Sequence, residues 1–326
     1  MANLTKEDIR SVIEIIKEVY LEDMIPWICG YSGGKDSTAV VQLVWYALRE
    51  LPPEKRKKTV HIISTDTLVE SPVVAIWAKE SIDKMKKQAK AEDLPIIPHR
   101  LTPTTTNTFW VNLIGRGYPY PRRDFRWCTD RLKIDASNRF IKSILDAESE
   151  AIMVLGSRKA ESAVRKAVLE GYEKKRYRAH LSPNGSFPNS YVFTPIENWL
   201  NDNVWQYLVQ VSNPWGHSNK DLLAMYSGAS ADGECPLVID NSTPSCGNSR
   251  FGCWVCTMVT EDKSMAAMIQ NDEEKAWMLP MLEFRNEIAA DWQTDRERRD
   301  FRRKDGRLTW HNNRLVHGPY TKKTRE

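Results

Sequence analysis

The feature that most constrains this chain is a short apolar strand followed at once by a glycine-rich polar loop and an apolar helix. Residues 26–31, Pro-Trp-Ile-Cys-Gly-Tyr, suit a buried strand, and residues 38–48 suit a helix. The loop between them is Ser32-Gly33-Gly34-Lys35-Asp36-Ser37-Thr38. Its glycines allow the backbone to approach a phosphate closely, and the first N–H groups of the helix can donate to anionic oxygens. The pattern therefore predicts a phosphate-binding turn.

Strand and helix patterns alternate through the first two thirds of the chain. Further strands are predicted at 59–65, 96–101 and 151–156, and helices at 5–21, 74–91 and 134–146. This alternation predicts an α/β fold with a doubly wound, mostly parallel sheet, in which ligands bind at the carboxyl ends of the strands. After Pro195 the sequence becomes helical, cysteine-bearing and basic. We therefore expect one domain at 1–190 and a C-terminal cysteine-bearing, mainly helical region at 191–326.

Positive charge is concentrated in two segments, although the net charge is only +4. Residues 296–326 contain eleven Lys/Arg and four Asp/Glu, and residues 157–183 contain eight Lys/Arg and three Glu. Such segments suit a polyanionic partner such as DNA, because neutralising phosphates releases counterions, or they form solvated helix faces. No long apolar run and no signal peptide is present, so we expect a cytoplasmic protein with no membrane association.

The six cysteines are unevenly distributed. Cys29 lies inside the first predicted strand and is expected to be a small buried apolar residue. Cys253 and Cys256 form a C-x-x-C, and Cys235 and Cys246 precede it closely. Thiolates this close can share one metal centre, either Zn²⁺ or a [4Fe–4S] cluster, and spacing alone does not choose between them. With the more distant cysteine at 128, five candidates compete for four ligand positions: Cys128, Cys235, Cys246, Cys253 and Cys256. The cysteine left over is a candidate to carry persulfide sulfur.

The loop at 32–38 resembles the PP-loop of ATP pyrophosphatases, a superfamily that includes GMP synthetases, tRNA-thiolating enzymes and adenylylsulfate reductases. The resemblance implies that ATP is cleaved to AMP and pyrophosphate, with the loop holding the pyrophosphate portion. It also implies that Asp36 positions Mg²⁺ and the phosphates and that Lys35 supplies a positive charge. The residues expected to bind the nucleotide here are Ser32, Gly33, Gly34, Lys35, Asp36, Ser37 and Thr38.

Two further segments resemble the reductase branch of this superfamily. Asp66-Thr67 follows the second strand, and Gly156-Ser157-Arg158 follows the fourth, with Arg165 seven residues beyond Arg158. We expect Asp66, Thr67, Gly156, Arg158 and Arg165 to contact the nucleotide, the two arginines through its phosphates. The alternative is a surface ion-pair set in which the arginines pair with Glu161.

Residues 126–133 resemble the region of adenylylsulfate reductases in which a cysteine pair binds a [4Fe–4S] cluster. Here Trp127 replaces one cysteine, so Cys128 remains as a candidate ligand or catalytic residue. The segment before it mixes aromatic residues with arginines from Trp110 to Trp127. It is interpreted either as a DNA-facing surface or as a lid over the nucleotide.

The stretch Ser249-Arg250-Phe251-Gly252-Cys253-Trp254-Val255-Cys256-Thr257 resembles the DndC-type component of bacterial DNA phosphorothioation. That resemblance implies a sulfurtransferase that adenylates a DNA backbone phosphate, after which sulfur replaces a non-bridging oxygen. It also implies a cysteine desulfurase as sulfur donor and other phosphorothioation proteins as partners.

Two other classes of protein remain as alternatives. An adenylylsulfate or phosphoadenylylsulfate reductase would act on a small molecule, and the lack of a cysteine after Cys256 argues against it. A metal-stapled nucleic-acid-binding module without catalysis is the second alternative, and the intact loop with Asp36 argues against that.

Overall fold

The predicted alternation of strands and helices is present in the computed structural model, which describes residues 3–122, 125–230, 251–289, 292–303 and 305–326. The first helix, α1, spans Lys6–Leu21 and begins at Thr5. The Thr5 hydroxyl accepts from the Asp8 N–H, and the Asp8 carboxylate accepts from the Thr5 N–H, a reciprocal cap that fixes the start of the helix. The remaining elements of this part are β1 (Trp27–Gly30), α2 (Lys35–Glu50), β2 (Val60–Thr65), α3 (Pro72–Ala91), β3 (Ile96–Leu101), α4 (Asp135–Glu148), β4 (Ala151–Val154), α5 (Ala163–Glu173), β5 (Ser182–Pro183), β6 (Ser190–Phe193), α6 (Asn201–Gln210) and α7 (Asn219–Gly228).

Six strands form one sheet in the order β3-β2-β1-β4-β6-β5. All neighbouring pairs are parallel except β5 with β6 at the edge. The α/β class and the mostly parallel sheet predicted from the sequence are therefore confirmed. β5 and β6 were not predicted, although β6 is as long as β1 and β4.

The core of the sheet lies around β1 and its neighbours. Trp27, Ile28 and Cys29 have no solvent exposure, which confirms the prediction that Cys29 is a buried apolar residue. α2 buries most of its length, which places the loop preceding it on a rigid support. A second apolar group joins Ile28, Ile63, Met153 and Val192 of the strands to Ile141 of α4.

The described chain divides into two compact units. The sheet unit takes the described residues within 1–65, 73–101 and 137–249, and the cysteine unit takes those within 66–72, 102–136 and 250–326. The sequence analysis expected a division at residue 190, between one domain at 1–190 and a cysteine-bearing region at 191–326. That division stays a prediction.

The cysteine unit is mainly helical. Its regular elements are α8 (Lys263–Asn271), α9 (Leu279–Ile288), α10 (Trp292–Glu297), the hairpin strands β7 (Trp310–His311) and β8 (Arg314–Leu315), and α11 (Lys322–Arg325). Two π-helical turns at Val111–Gly115 and Thr129–Ile134 precede them in the chain. Its apolar core consists of Val69, Phe109, Leu113, Trp127, Leu132, Val255 and Tyr320. Within the described parts of both units, no helix has the length and apolar character needed to span a bilayer.

Candidate nucleotide loop and cysteine cluster

The glycine-rich loop of the sheet unit connects the end of β1 to the first turn of α2. Gly33 has a φ of +76°, which favours glycine, and Gly34 caps α2 without a side-chain hydrogen bond. The Ser32 N–H donates to Ser37 Oγ at 3.1 Å, and Ser37 Oγ donates to the Gly34 carbonyl at 3.0 Å. The loop is thus closed by its own serines around the N-terminus of a helix, where anions are stabilised.

The carboxylate of Asp36 lies between two cations of the sheet unit. Lys35 Nζ is 3.0 Å from Oδ2, and Arg158 Nε is 2.6 Å from Oδ1. Arg158 is 2% exposed and also donates to the Trp199 carbonyl at 3.2 Å, so its guanidinium is fixed in place. Two cations on one carboxylate leave an excess positive charge at the loop, which suits an anionic ligand.

Gly156 brings the end of β4 against the backbone of the loop. A Cβ at this position would lie 2.9 Å from the Asp36 carbonyl oxygen, closer than side-chain carbons are found to such atoms. Only glycine therefore allows the segment carrying Arg158 to pass beside Asp36. The structure thus places two of the residues predicted from the fourth strand, Gly156 and Arg158, at the loop.

Arg165 is paired within its own segment of the sheet unit. Its Nη1 donates to Ser157 Oγ at 2.9 Å, and its Nε is 3.3 Å from Glu161 Oε2. This is the ion-pair arrangement that the sequence offered as the alternative for Arg165. The side chain is about half exposed, and its contact with a phosphate stays a prediction.

Two aromatic residues that support the loop were not predicted as site residues. Trp77 of α3 donates its indole N–H to the Gly33 carbonyl at 3.1 Å and stacks on His217 with ring centroids 4.2 Å apart. Tyr226 of α7 accepts the Lys35 N–H at 3.3 Å, and Lys35 Nζ lies 5.8 Å from the centre of its ring. Both rings come from helices distant in sequence, and no local motif marks them, so only the fold shows their role.

Asp66 and Thr67 belong to the cysteine unit. Asp66 Oδ1 accepts the Leu68 N–H at 2.7 Å, and Thr67 Oγ1 lies 3.1 Å from Glu70 Oε1 and 3.4 Å from Cys253 Sγ. Thr67 is therefore next to a predicted metal ligand. The contact expected between these two residues and a nucleotide stays a prediction.

Three of the candidate cysteines lie in described parts of the cysteine unit. Residues 69–71 pair with 252–254 through the hydrogen bonds Ser71 N–H to Gly252 and Trp254 N–H to Val69, and the Cys256 N–H donates to the Cys253 carbonyl at 3.0 Å. Cys128 precedes the π-helical turn at Thr129–Ile134. All three are free thiols. Cys235 and Cys246 lie outside the described residues.

The thiols affect one another's protonation. Burial and then the Glu70 carboxylate raise the pKa of Cys253 to about 12, while Lys133 acts in the opposite direction. Burial also raises the pKa of Cys128, with a contribution from Cys256. Burial would lower the pKa of Lys133, but the negative charges of Glu70 and Cys253 outweigh it and raise that pKa. The group is thus a buried ionisable set in which removing thiol protons requires a compensating cation.

The described residues alone do not form a complete metal site. Among them, no group of three or more His, Cys, Asp or Glu side chains is arranged to hold a metal ion. Thiolate sulfur is nevertheless a donor that soft metal centres prefer, and Cys128 and Cys253 both pack against the apolar core of this unit. Trp127 stacks on Phe109 in the apolar core and donates to the Pro119 carbonyl at 2.8 Å.

Comparison with known proteins gives a family match over most of the sheet unit. The model of the phosphoadenosine phosphosulfate reductase domain matches residues 26–217, more than half of the chain. An uncharacterized protein of Methanocaldococcus jannaschii is 26% identical over 210 residues, covering 63% of this chain and 36% of that protein. This chain therefore spans about a third of the length of that relative.

Solved structures with a similar arrangement include two enzymes of sulfur metabolism. A phosphoadenylyl-sulfate reductase of Candida auris has a TM-score of 0.38 and 14% identity, with 64% of this chain and 88% of that chain covered. A U34-tRNA thiolase of Methanococcus maripaludis, solved with its [4Fe-4S] cluster, has a TM-score of 0.37 and 13% identity, with 88% and 82% covered. Similarity at this level carries no argument about the substrate or cofactor of this chain.

Proposed function

The chain belongs to the phosphoadenosine phosphosulfate reductase domain family, and from this premise we propose that it is an ATP pyrophosphatase and sulfurtransferase acting in DNA phosphorothioation. The single observation that carries the proposal is the position of Asp36 between Lys35 and Arg158 at the N-terminus of α2. This arrangement offers two cations and the positive end of a helix to one polyphosphate. It suits binding of the pyrophosphate portion of ATP.

The proposed reaction has two displacements. A non-bridging oxygen of a DNA phosphate attacks the α-phosphorus of ATP, the bond from that phosphorus to pyrophosphate breaks, and pyrophosphate leaves with its electron pair. A sulfur nucleophile then attacks the DNA phosphorus, and the bond from that phosphorus to the AMP oxygen breaks. Lys35 and Arg158 are the groups that bind the charge that develops on the leaving pyrophosphate in the first step.

Mg²⁺ is part of the proposal. Both oxygens of Asp36 accept from cations, yet each carboxylate oxygen has a second lone pair that can bind a metal ion. Asp36 would therefore hold Mg²⁺ and at the same time orient Lys35 and Arg158. The ion would supply further positive charge at the phosphates.

A [4Fe–4S] cluster is the proposed centre in the cysteine unit, with Zn²⁺ as the alternative. Four ligands would come from Cys128, Cys235, Cys246, Cys253 and Cys256, and the bound centre would supply or stabilise sulfide-level sulfur. The packing of Cys128 and Cys253 against the same apolar core supports this set. Brown anaerobic protein with about four irons per chain would support the cluster, and colourless protein with one zinc would support the alternative.

The proposed partners are DNA, a cysteine desulfurase that donates sulfur, and other phosphorothioation proteins. Their involvement follows from the resemblance of residues 249–257 to the DndC type and from the basic C-terminal segment. We propose that the reaction takes place in the cytoplasm, where thiols stay reduced.

Pyrophosphate release from ATP tests the proposal. Anaerobic protein is incubated with ATP, Mg²⁺, DNA, cysteine and a cysteine desulfurase, and pyrophosphate and AMP are quantified. Asp36→Ala should lower the rate by about a hundredfold or more, because it removes the group that holds both cations. Asp146→Ala, which changes an exposed carboxylate on α4, is the matched control and should leave the rate unchanged. No pyrophosphate with any combination of DNA and sulfur donor would reject the proposal.

A second candidate is favoured by the family match itself. A phosphoadenylylsulfate reductase would bind the nucleotide at the same loop and release sulfite without splitting ATP. Thiol-dependent sulfite release from phosphoadenylylsulfate, in the absence of pyrophosphate release from ATP, would select this candidate.

A further inference from the structure

An arginine-lined cleft lies within the cysteine unit, between residues 116–122 with Phe125 on one side and described residues from 296 to 319 on the other. Its volume is about 1180 Å³. Among its described lining residues, Asp305 is acidic. Six lining residues are arginines: Arg116, Arg122, Arg296, Arg299, Arg303 and Arg314. The cleft is larger than a typical site for a small molecule of about 300–1,000 Å³.

Two of the arginines, Arg116 and Arg303, are held by neutral side chains. Arg116 donates to Asn107 and Asn112 at 3.0 and 2.7 Å, and Arg303 donates to Thr309 at 3.0 Å. These bonds orient the guanidinium groups without cancelling their charge.

Among the lining residues that the structure describes, the arginines outnumber the carboxylates six to one. Asp295 is shared between Arg122 and Arg299, at 3.3 and 3.4 Å, and Asp305 pairs with Arg307 at 3.2 Å. The excess charge extends to the cleft wall, where burial lowers the pKa of His317 and the charges of Arg299 and Arg296 lower it further. Asp295 acts in the opposite direction there. Like charges gathered in this way call for a polyanionic ligand.

One lining residue offers an aromatic ring to the ligand. The side chain of Phe125 is 44% exposed at the cleft. A stacking contact of this kind requires a base whose face is free, as in a single strand. In a duplex the base faces are covered by neighbouring pairs, and only the edges are offered in the grooves.

We infer that this cleft binds single-stranded DNA, with its arginines on the phosphates and Phe125 stacked on an unpaired base. The choice of DNA rests on the proposed function, whereas the cleft and its charge do not. The hairpin β7–β8 supplies His311 and Arg314 to one wall. The other wall is tied to the end of the chain by the bond from the Tyr320 N–H to the Gly117 carbonyl. The bound strand is thus held between two segments that are distant in sequence.

The test is fluorescence anisotropy with the full chain and a labelled oligothymidylate of about 15 nucleotides. An equal-length duplex and an equal-length oligouridylate are measured beside it. The DNA strand should bind more tightly than either. Phe125→Ala should weaken its binding about tenfold. Arg314→Ala should weaken it severalfold and reduce the slope of log affinity against log salt by about 0.7, the value for one phosphate on a single strand.

Two exposed residues outside the cleft provide matched controls. Trp277→Ala removes an aromatic ring that is 55% exposed, and Lys322→Ala removes a cation whose side chain is 83% exposed. Both should leave binding unchanged, and circular dichroism should show that all four variants are folded. Equal losses in the controls, or an unchanged salt slope in Arg314→Ala, would overturn the cleft as the binding site.

The nucleic-acid arms decide the nature of the ligand. A duplex bound as tightly as the strand would overturn the inference of a single strand, and tighter binding of oligouridylate would overturn the choice of DNA. Failure of the proposed function is seen separately in the pyrophosphate assay. Strand binding through Phe125 and Arg314 without any pyrophosphate release would keep the cleft and reject the proposed function, whereas release without strand binding would do the reverse.

Discussion

The sheet unit and the cysteine unit build their candidate sites in different ways. In the sheet unit a short stretch of seven residues, 32–38, forms the loop, and the fold adds Arg158 and Gly156 from the end of one neighbouring strand. In the cysteine unit the thiols and their surroundings come from three separate stretches that include Thr67, Cys128 and Cys253. A site made from one motif depends mostly on backbone shape, whereas a site made from distant stretches depends on side chains that hold those stretches together.

Arg285 tests this dependence most strongly. Its side chain has no solvent exposure. It donates to the carbonyls of Cys256, the second cysteine of the C-x-x-C, and of Val259 and Thr260 beyond it. Arg285→Met leaves these carbonyls without a donor, so we expect the free energy of unfolding to fall by about 3–5 kcal/mol. Urea unfolding measures the loss. Arg302→Met, which changes an exposed arginine, is the control and should cost less than about 0.5 kcal/mol. Equal losses in the two variants would show that side-chain ties do not hold the cysteine unit together.

Gly156→Ala tests the backbone dependence of the sheet unit. The new Cβ would lie 2.9 Å from the Asp36 carbonyl oxygen, so the backbone at Asp36 must move away from residue 156. We expect a loss of about 1–3 kcal/mol in ATP affinity, read as a rise in the ATP dissociation constant by calorimetry.

Gly171→Ala is the matched control for that change. Gly171 lies in α5, and no atom lies within 4 Å of its added Cβ. Alanine should therefore leave ATP affinity unchanged and stabilise the helix by about 0.5–1 kcal/mol. The same ATP affinity in both variants would mean that close backbone approach at Gly156 does not shape the loop.

The smallest expected loss of stability is a response to pH in the sheet unit. His61 Nδ1 and His99 Nε2 are 3.0 Å apart on β2 and β3, and burial, with His61 beside it, lowers the pKa of His99 from 6.5 to about 4. Between these values the unfolded chain binds a proton that the folded chain does not, so stability is lost as the pH falls from about 6.5 to about 4. Because His99 is only half buried, we expect a loss of about 1–2 kcal/mol.

Urea unfolding across that pH range measures the response. His99→Phe removes the titrating ring and should flatten the profile, whereas Arg285→Met, a change in the other unit, should leave the slope intact. A slope that survives in His99→Phe would assign the response to another group.

The same contrast explains what the sequence could predict. The strands β1 to β4, the helices around them and the mostly parallel sheet were predicted. Apolar runs mark the strands, apolar periodicity marks the helices, and helix caps such as Thr5 are local. Gly156 and Arg158 were named as site residues, because both follow a strand whose carboxyl end faces ligands.

What could not be predicted depends on contacts between distant residues. Trp77 and Tyr226 carry no motif, so their support of the loop appears only once α3 and α7 are folded. The proximity of Thr67 to Cys253 is similar, since the sequence grouped Thr67 with the nucleotide. Arg285 resembles any other arginine of a helix until its burial is known. The two units also alternate along the sequence, because the segments that follow β2 and β3 belong to the cysteine unit. Hydrophobic periodicity does not show to which unit such segments belong.

The pairing of Thr67 with Cys253 joins residues 186 positions apart, and the bond from Arg325 to the Ile114 carbonyl joins residues 211 apart. During synthesis Cys128 leaves the ribosome long before Cys253 and Cys256, and the bond from Arg325 to Ile114 forms only after residue 325 has emerged. Closing such long loops is slow compared with forming local contacts. The thiol of Cys128 therefore spends its early life without the surroundings that later bury it. The apolar core that packs against Cys128 includes Val255 and Tyr320, so it is completed only after those residues have been synthesised.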